Sequence, residues 1–373
     1  MSSDAGARWR SLVRWETMLF FALLVALWYG ASTRNFWTST NAFYVGLNVG
    51  EIAIMALPLT LIVITGEIDL SIASMLGLAS TLVGYLTLHG WSILPAMLVV
   101  LLVGCVGGAL NGFLVTTVGL PSIAVTIGTL TLYRGLAQGI LGAQSVGDYS
   151  LWLTKIGVQP IPHTHVPWSV GFFLILAIAF GVVLHATPVG RSIYAIGLQS
   201  ETAQFSGIRV KRIKFELYVL SGLIASFAGI LWTFRFATSR YDAGTGLELT
   251  VVAIVLFGGV SIFGGRGSII GVVLSAAIIA CLQQAMTLRK IDPQVRNIVT
   301  GVLLLLSVIV PNLGEVTGRL RARWRRRPDA TASPAFVLAA AANGAPDQIP
   351  PSHPPTSTPA PSSTTTTTNI SKG

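Results

Sequence analysis

Long apolar stretches separated by short polar segments fill the first 313 residues of the chain. Most of them run for about 18 residues or more with few charges, which is the length and composition of a helix that crosses a bilayer. We therefore predict an all-α membrane protein with about ten transmembrane helices. The predicted helices cover residues 17–33, 42–65, 72–88, 92–117, 121–142, 167–187, 215–236, 248–263, 268–288 and 298–313.

The first apolar stretch has features of both a signal peptide and a membrane anchor. Arg8, Arg10 and Arg14 precede it, and Gly30-Ala31-Ser32 near its end resembles a cleavage site. Because the later helices need a cytoplasmic start, we interpret the stretch as an uncleaved anchor. Residues 1–16 then form a short cytoplasmic N-terminus.

The composition excludes a soluble fold. Hydrophobic residues make up 52% of the chain and charged residues 10%, whereas soluble domains carry about 25% charged residues. The net charge of +10 is assigned to topology rather than to nucleic-acid binding, because cytoplasmic loops carry excess Lys and Arg. Ten helices with the N-terminus inside place most basic residues, and the C-terminus, in the cytoplasm. Cys105 and Cys281 lie in apolar stretches and are expected to be packing residues rather than disulfide partners.

The composition changes again after the last apolar stretch. Arg319–Arg327 is a basic cluster, and Pro351–Thr368 consists almost entirely of Pro, Ser and Thr. Such a segment buries too little apolar area to offset the entropy of ordering. We predict a transmembrane domain over 17–313 and a disordered cytoplasmic tail over 314–373, with its arginines against anionic lipid.

The segment Gly66–Ser71 interrupts two apolar stretches with two acids. Asp69 and Ser71 are suited to cap the helix that follows, through its free N–H groups. The alternative is a broken helix that lines a pathway, where irregular backbone is tolerated because it faces a cavity.

The loop 188–214 is strongly basic and contains the pattern Glu201-Thr202-Ala203 followed by Gly207. A short helix that ends at a glycine forms a compact knob, suited to the groove of a partner protein. A plain solvated loop is the alternative interpretation. Gly207 is expected to turn the backbone with a positive φ.

The chain has no site of its own for ATP hydrolysis. None of its lysines is followed by Ser or Thr, so it has no Walker A motif, and Gly264–Gly267 is interpreted as a tight turn. The ionisable residues that lie well inside predicted helices are Glu51 and Arg134. The histidines lack metal-ligand spacing, and no catalytic cluster is evident. We expect no cofactor or metal on this chain.

Two short matches suggest that the halves of the chain repeat. Ile68–Ile72 is similar to Leu247–Val251, and a polar amide stands ten residues before a proline in each half, as Asn111 before Pro121 and Gln283 before Pro293. In the predicted topology the two members of each pair face opposite sides of the membrane. An inverted repeat produces this arrangement.

These features together resemble the permeases of ribose-type ABC importers, which also serve xylose, rhamnose and the furanosyl signal autoinducer-2. The resemblance runs from about residue 42 to 313. It rests on Gly66–Ser71, Asn111-Gly112, Pro121–Thr129, Arg134-Gly135, Ala195–Gly197, Ser206–Ile208, Ser221-Gly222, Ala225, Ala228-Gly229, Gly258–Ser261 and Gly264–Gly267. The chain departs from the family pattern at Glu67, Gln199 and Thr202, which affects the substrate and the details of coupling.

The resemblance implies an inner-membrane permease that works by alternating access. A separate cytoplasmic ATPase, which binds the ATP and Mg²⁺, would grip the loop 188–214. An extracytoplasmic sugar-binding protein would deliver its ligand to 143–166 and 237–247, and a second permease, identical or a sibling, would complete the pathway. The implied coupling residues are Gly197, Glu201, Ala203, Phe205, Ser206, Gly207 and Ile208. The candidate pathway or helix-break residues are Gly66, Asp69, Ser71, Asn111, Pro121, Thr126 and Glu248.

The sequence around Gly244–Gly267 is similar to the rhamnose and autoinducer-2 branch, so we favour a deoxyhexose such as rhamnose, with another monosaccharide next. The rival from a different class is a secondary transporter or channel that works without ATP, which needs a relay or filter of intramembrane polar groups. A membrane enzyme is a third alternative, and the missing catalytic cluster disfavours it.

Overall fold

The computed structural model describes residues 18–33, 36–147, 149–307 and 309. Within them the chain is helical and forms no β-strand. The helices are α1 (Met18–Ala31), α2 (Ser39–Ile64), α3 (Ile72–Leu88), α4 (Ile93–Phe113, extended by a π-helical turn over Leu114–Val118), α5 (Ser122–Leu141), α6 (Leu151–Val158), α7 (Trp168–Ala186), α8 (Pro188–Leu198), α9 (Ser200–Phe205), α10 (Val210–Phe236), α11 (Leu247–Phe257), α12 (Ile269–Leu288) and α13 (293–307). The predicted cytoplasmic N-terminus and tail lie outside the described residues.

Helices α2 and α10 form the centre of the bundle. Helix α2 packs against α7, α10, α11 and α12, and α10 packs against α2, α3, α4 and α6. Most of the apolar length of both helices is buried. The contact of α10 with α4 is close because Gly104, Gly108 and Gly112 recur every fourth residue on α4 and face α10. Small residues at this spacing let two helix backbones approach closely inside a bilayer.

Two helices of the bundle are short and begin after a break in the chain. Helix α3 has 17 residues and follows the turn after α2, and α11 has 11 residues and follows the turn after α10. Their first turns approach each other, since Arg134 on α5 reaches both Ala73 and Glu248. The paired segments Ile68–Ile72 and Leu247–Val251 lie at the starts of these two short helices. The inverted repeat stays a prediction.

Helices occupy all ten stretches predicted from the sequence, but their lengths differ. Among the described residues, α2, α4, α7, α10 and α12 are long and apolar enough to cross a membrane. Helix α11 ends at Phe257, not at the predicted residue 263, because the chain turns at Gly258-Gly259. Ten spans, and the cytoplasmic placement of the termini, remain predictions.

Candidate functional site

The basic loop folds as two short helices, and we call residues 188–209 the knob. The Thr187 hydroxyl accepts a hydrogen bond from Gly190 N–H at 3.4 Å and caps α8, whose first residue is Pro188. Helix α9 ends at Phe205, and Gly207, two residues later, turns the chain with φ +84°. The Ile208 N–H donates to the Ala203 carbonyl at 3.1 Å. This glycine-terminated motif is the C-terminal cap that the sequence predicted.

The coupling residues named from the sequence divide between the inside and the outside of the knob. Ala203 is buried with Ile196 and Val210, and Ile208 packs against this small cluster. Glu201, Ser206 and Gly207 are exposed. Phe205 is 92% exposed and is the most exposed apolar side chain of the knob, ahead of Leu198 and Val189.

The knob is held tightly against the permease body. At Gly197 a side chain would overlap the Ile64 carbonyl oxygen and the Gly265 backbone, because the chain segments touch there. The Tyr194 hydroxyl donates to the Gly267 carbonyl at 2.7 Å, and burial raises the pKa of Tyr194 to about 12. The knob is therefore in direct contact with the end of α2 and with the glycine turn between α11 and α12.

An ion pair ties the start of α10 to the break after α2. Lys214 Nζ lies 2.5 Å from Glu67 Oε1, and both side chains are mostly buried. Glu67 lies two residues before the buried Asp69, in the segment that leads into α3. A displacement of the knob and of the start of α10 would thus reach this break through side-chain contacts.

Four of the candidate pathway residues meet in one buried cluster. The Asp69 carboxylate accepts hydrogen bonds from the Ser71 N–H at 3.0 Å, the Ser71 hydroxyl at 2.6 Å and the Ser221 hydroxyl at 2.8 Å. Asn111 donates to the Ser71 hydroxyl at 2.8 Å, and Thr126 donates to the Ile68 carbonyl at 3.3 Å. The Ser71 hydroxyl does not cap α3, because it donates to Asp69 instead.

The remaining candidates lie around this cluster or apart from it. Gly66 turns the chain after α2 with φ +84°, and Pro121 is exposed at the start of α5. Glu248 lies in the first turn of α11, where its carboxylate is 3.1 Å from Arg134 Nη2. Arg134 also donates to the Ala243 carbonyl, so one guanidinium joins α5 to the start of α11.

Both charges noticed inside the predicted helices are therefore paired. Glu51 is 1% exposed and lies 3.0 Å from Arg235 Nη1, just as Arg134 lies against Glu248. Sequence reasoning missed Arg235, because it lies at the end of the predicted helix 215–236 and not well inside it.

One of the two predicted outer segments folds inward. The Ser239 hydroxyl donates to the Ser80 carbonyl at 2.6 Å, and Ser239 and Val146 exchange backbone hydrogen bonds. The exposed part of the segment carries Arg240, which donates to Asp242 and holds the pKa of that carboxyl below its usual range. An open cleft of about 420 Å³, lined by Trp91 and Tyr149 among others, lies beside this region.

Comparison with known proteins identifies the family. A family model described as "Branched-chain amino acid transport system / permease component" matches residues 41–308. The autoinducer 2 import system permease protein LsrD of Klebsiella pneumoniae is 31% identical over 327 residues, which is 84% of this chain and 96% of that protein. The protein of the same name from Photorhabdus laumondii is 32% identical, over 74% of this chain and 85% of its own length.

The same relationship appears in a third organism. The LsrD protein of Salmonella typhimurium is 30% identical, over 69% of this chain and 79% of that protein. No solved structure matches the chain. The chain belongs to this family of ABC importer permeases, as its resemblance to the ribose-type sugar permeases predicted, and it is a multi-pass protein of the inner membrane.

Proposed function

We propose that this chain is the permease subunit of an ABC importer that carries a monosaccharide-like solute inward at the expense of ATP hydrolysed by a separate subunit. The observation that carries the proposal is the knob. It presents one exposed aromatic side chain, Phe205, and it is packed by backbone contact at Gly197 against the end of α2. The chain itself has no Walker A motif.

The coupling route follows the contacts of the knob. The ATPase pair closes around ATP and Mg²⁺ and moves the knob, with Phe205 in the ATPase groove. The Gly197 contact moves the end of α2, and the Lys214–Glu67 pair pulls on the break before α3. The polar cluster around Asp69 then transmits the change to α10 through Ser221.

The partners follow from the same scheme. A cytoplasmic ATPase grips the knob, and an extracytoplasmic binding protein docks on the opposite side, on 143–166 and the exposed residues of 237–247. A second permease, as a homodimer or with a sibling, forms the other wall of the pathway. The chain binds no cofactor of its own and no nucleic acid.

The substrate is proposed from the relatives rather than from the geometry. The similar proteins are named for autoinducer-2 import, which is a furanosyl molecule. We place autoinducer-2 or a closely related furanose first, and a deoxyhexose such as rhamnose second. The family description also names branched-chain amino acids. We give more weight to the relatives that are similar over most of this chain, which are named for import of autoinducer-2.

The test is uptake by a strain from which the gene has been deleted. We expect loss of autoinducer-2 removal from the medium, restored by the gene on a plasmid. Growth on rhamnose as sole carbon source, measured in the same strains, distinguishes the second substrate from the first. Unchanged uptake of both compounds in the deletion strain would contradict the proposed substrate class.

A further inference from the structure

A chain of polar side chains crosses α2, α10 and α12 away from the knob. Its members are linked side chain to side chain across three helices. The links are Glu51 Oε2 to Arg235 Nη1 at 3.0 Å, Arg235 Nη2 to Asn48 Oδ1 at 2.6 Å, Asn48 Nδ2 to Gln284 Oε1 at 3.1 Å, and Gln284 Nε2 to Asn41 Oδ1 at 2.7 Å. These hydrogen bonds thus extend the buried ion pair through three amide side chains, those of Asn48, Gln284 and Asn41.

The middle of this polar chain lies deep along α2. The helix has 26 residues, which corresponds to about 39 Å, against about 30 Å for the hydrocarbon core of a bilayer. Asn48 follows Ser39 by nine residues and therefore lies about 14 Å from the helix start. A centred helix places Asn48 and Glu51 inside the hydrocarbon layer.

Asn48 is exposed at this depth, whereas Glu51 and Gln284 are buried. Its amide has one N–H and acceptor capacity beyond the two hydrogen bonds it makes. Lipid cannot satisfy these groups, and leaving polar groups unpaired in hydrocarbon is strongly unfavourable. The face of α2 that carries Asn48 is therefore unsuited to contact with lipid, whereas a water-filled space satisfies its amide.

Two exposed aromatic side chains stand next to members of the polar chain. Tyr44 lies one helical turn before Asn48 and is 48% exposed. Phe236 is 47% exposed, and its ring centre lies 4.9 Å from the Arg235 guanidinium carbon. A surface with aromatic faces beside an amide and a guanidinium suits a small ring that has an apolar face and hydroxyl edges.

We infer that Tyr44, Asn48, Arg235 and Phe236, here called the Asn48 surface, form a sugar-binding site on the transport route. Asn48 and Arg235 hydrogen-bond the hydroxyl groups, and the two aromatic rings contact the apolar face of the ring. Glu51, Gln284 and Asn41 act as positioning residues, because they hold the amide and the guanidinium in place. The inference rests on the proposed function and extends it to a place on the chain.

Water access is tested without knowledge of the substrate. In a Cys105→Ala/Cys281→Ala background, Asn48→Cys and Tyr44→Cys are treated on intact cells with a sulfonated, membrane-impermeant maleimide. Leu102→Cys is the matched control, since Leu102 follows the start of α4 by nine residues and is 64% exposed. We expect the Asn48→Cys and Tyr44→Cys variants to label and the Leu102→Cys variant to remain unlabelled. Labelling of the first two only by a lipid-soluble maleimide would overturn the inference.

Sugar binding is tested by protection and by kinetics. Autoinducer-2 or rhamnose should slow the labelling of Tyr44→Cys. Asn48→Ala should raise the KM for uptake about tenfold, which is the effect of losing one good hydrogen bond. The amount of the Asn48→Ala protein in the membrane should stay normal. Gln283→Ala is the control amide, because Gln283 bonds Thr300 on α13 instead. If neither sugar slows the labelling, the sugar site is wrong. The proposed import function is contradicted by a different result, namely the absence of uptake by the unmodified protein.

Discussion

Replacing Glu51 with leucine is expected to lower the free energy of unfolding by about 3–5 kcal/mol. Glu51 is buried, and its partner Arg235 is 11% exposed in its side chain. Removing the carboxylate leaves a mostly buried guanidinium without a countercharge. Chemical denaturation in detergent micelles measures the loss, together with the amount of protein in the membrane.

Two further variants separate this effect from a general cost of substitution. The double variant Glu51→Leu/Arg235→Leu should recover most of the lost stability, because no unpaired charge remains, while sugar uptake stays impaired. Glu216→Gln is the matched control, since Glu216 pairs with Arg212 on the exposed face of α10. Glu216→Gln should lower the free energy of unfolding by about 0.5 kcal/mol or less. Equal losses for Glu51→Leu and Glu216→Gln would contradict the buried-pair account.

Substitution of Phe205 by aspartate should strongly weaken ATPase binding and sugar uptake while the permease stays folded and inserted. Phe205 is 92% exposed and makes little contribution to the cluster inside the knob. A buried aromatic anchor commonly costs about 2 kcal/mol or more when it is removed from an interface, which is about thirtyfold in affinity. Co-purification with the cognate ATPase and uptake by whole cells measure the two effects.

The companion variants test whether the shape of the knob matters as well. Gly207→Val should also uncouple uptake, because a β-branched residue is strained at φ +84° although nothing lies near the added carbon. Arg209→Glu should do less and mainly change the salt dependence of association, since rim charges tune the encounter rate. Normal uptake with both Phe205→Asp and Gly207→Val would place the coupling element elsewhere.

The sequence alone predicted the positions of the helices and of the turn at Gly207, because both depend on neighbouring residues. The apolar stretches predicted where helices form, because a bilayer needs long apolar segments. Gly207 predicted the end of α9, because a left-handed residue after a short helix favours glycine. The end of α11 was placed too late, since apolar residues continue to Phe263 and the turn at Gly258-Gly259 interrupts them.

Contacts between distant segments were beyond sequence reasoning. Arg235 pairs with Glu51 across 184 residues, and nothing near Arg235 in the sequence marks it as buried. The inward fold of 237–246 was missed, because a re-entrant segment and an outer loop have similar lengths and polarity. The Asp69 cluster was predicted only as a helix break; its partners Ser221 and Asn111 come from other helices.

The central claim is that this chain moves a sugar-like solute only when a separate ATPase drives it. The direct measurement is uptake of labelled autoinducer-2, and of rhamnose in parallel, into liposomes that contain the permease, its cognate ATPase and the binding protein. We expect accumulation that requires ATP and disappears when the ATPase is omitted or carries a Walker A substitution. ATP hydrolysis by the permease alone, or concentrative uptake driven by a proton gradient in liposomes that hold only this chain, would contradict the account.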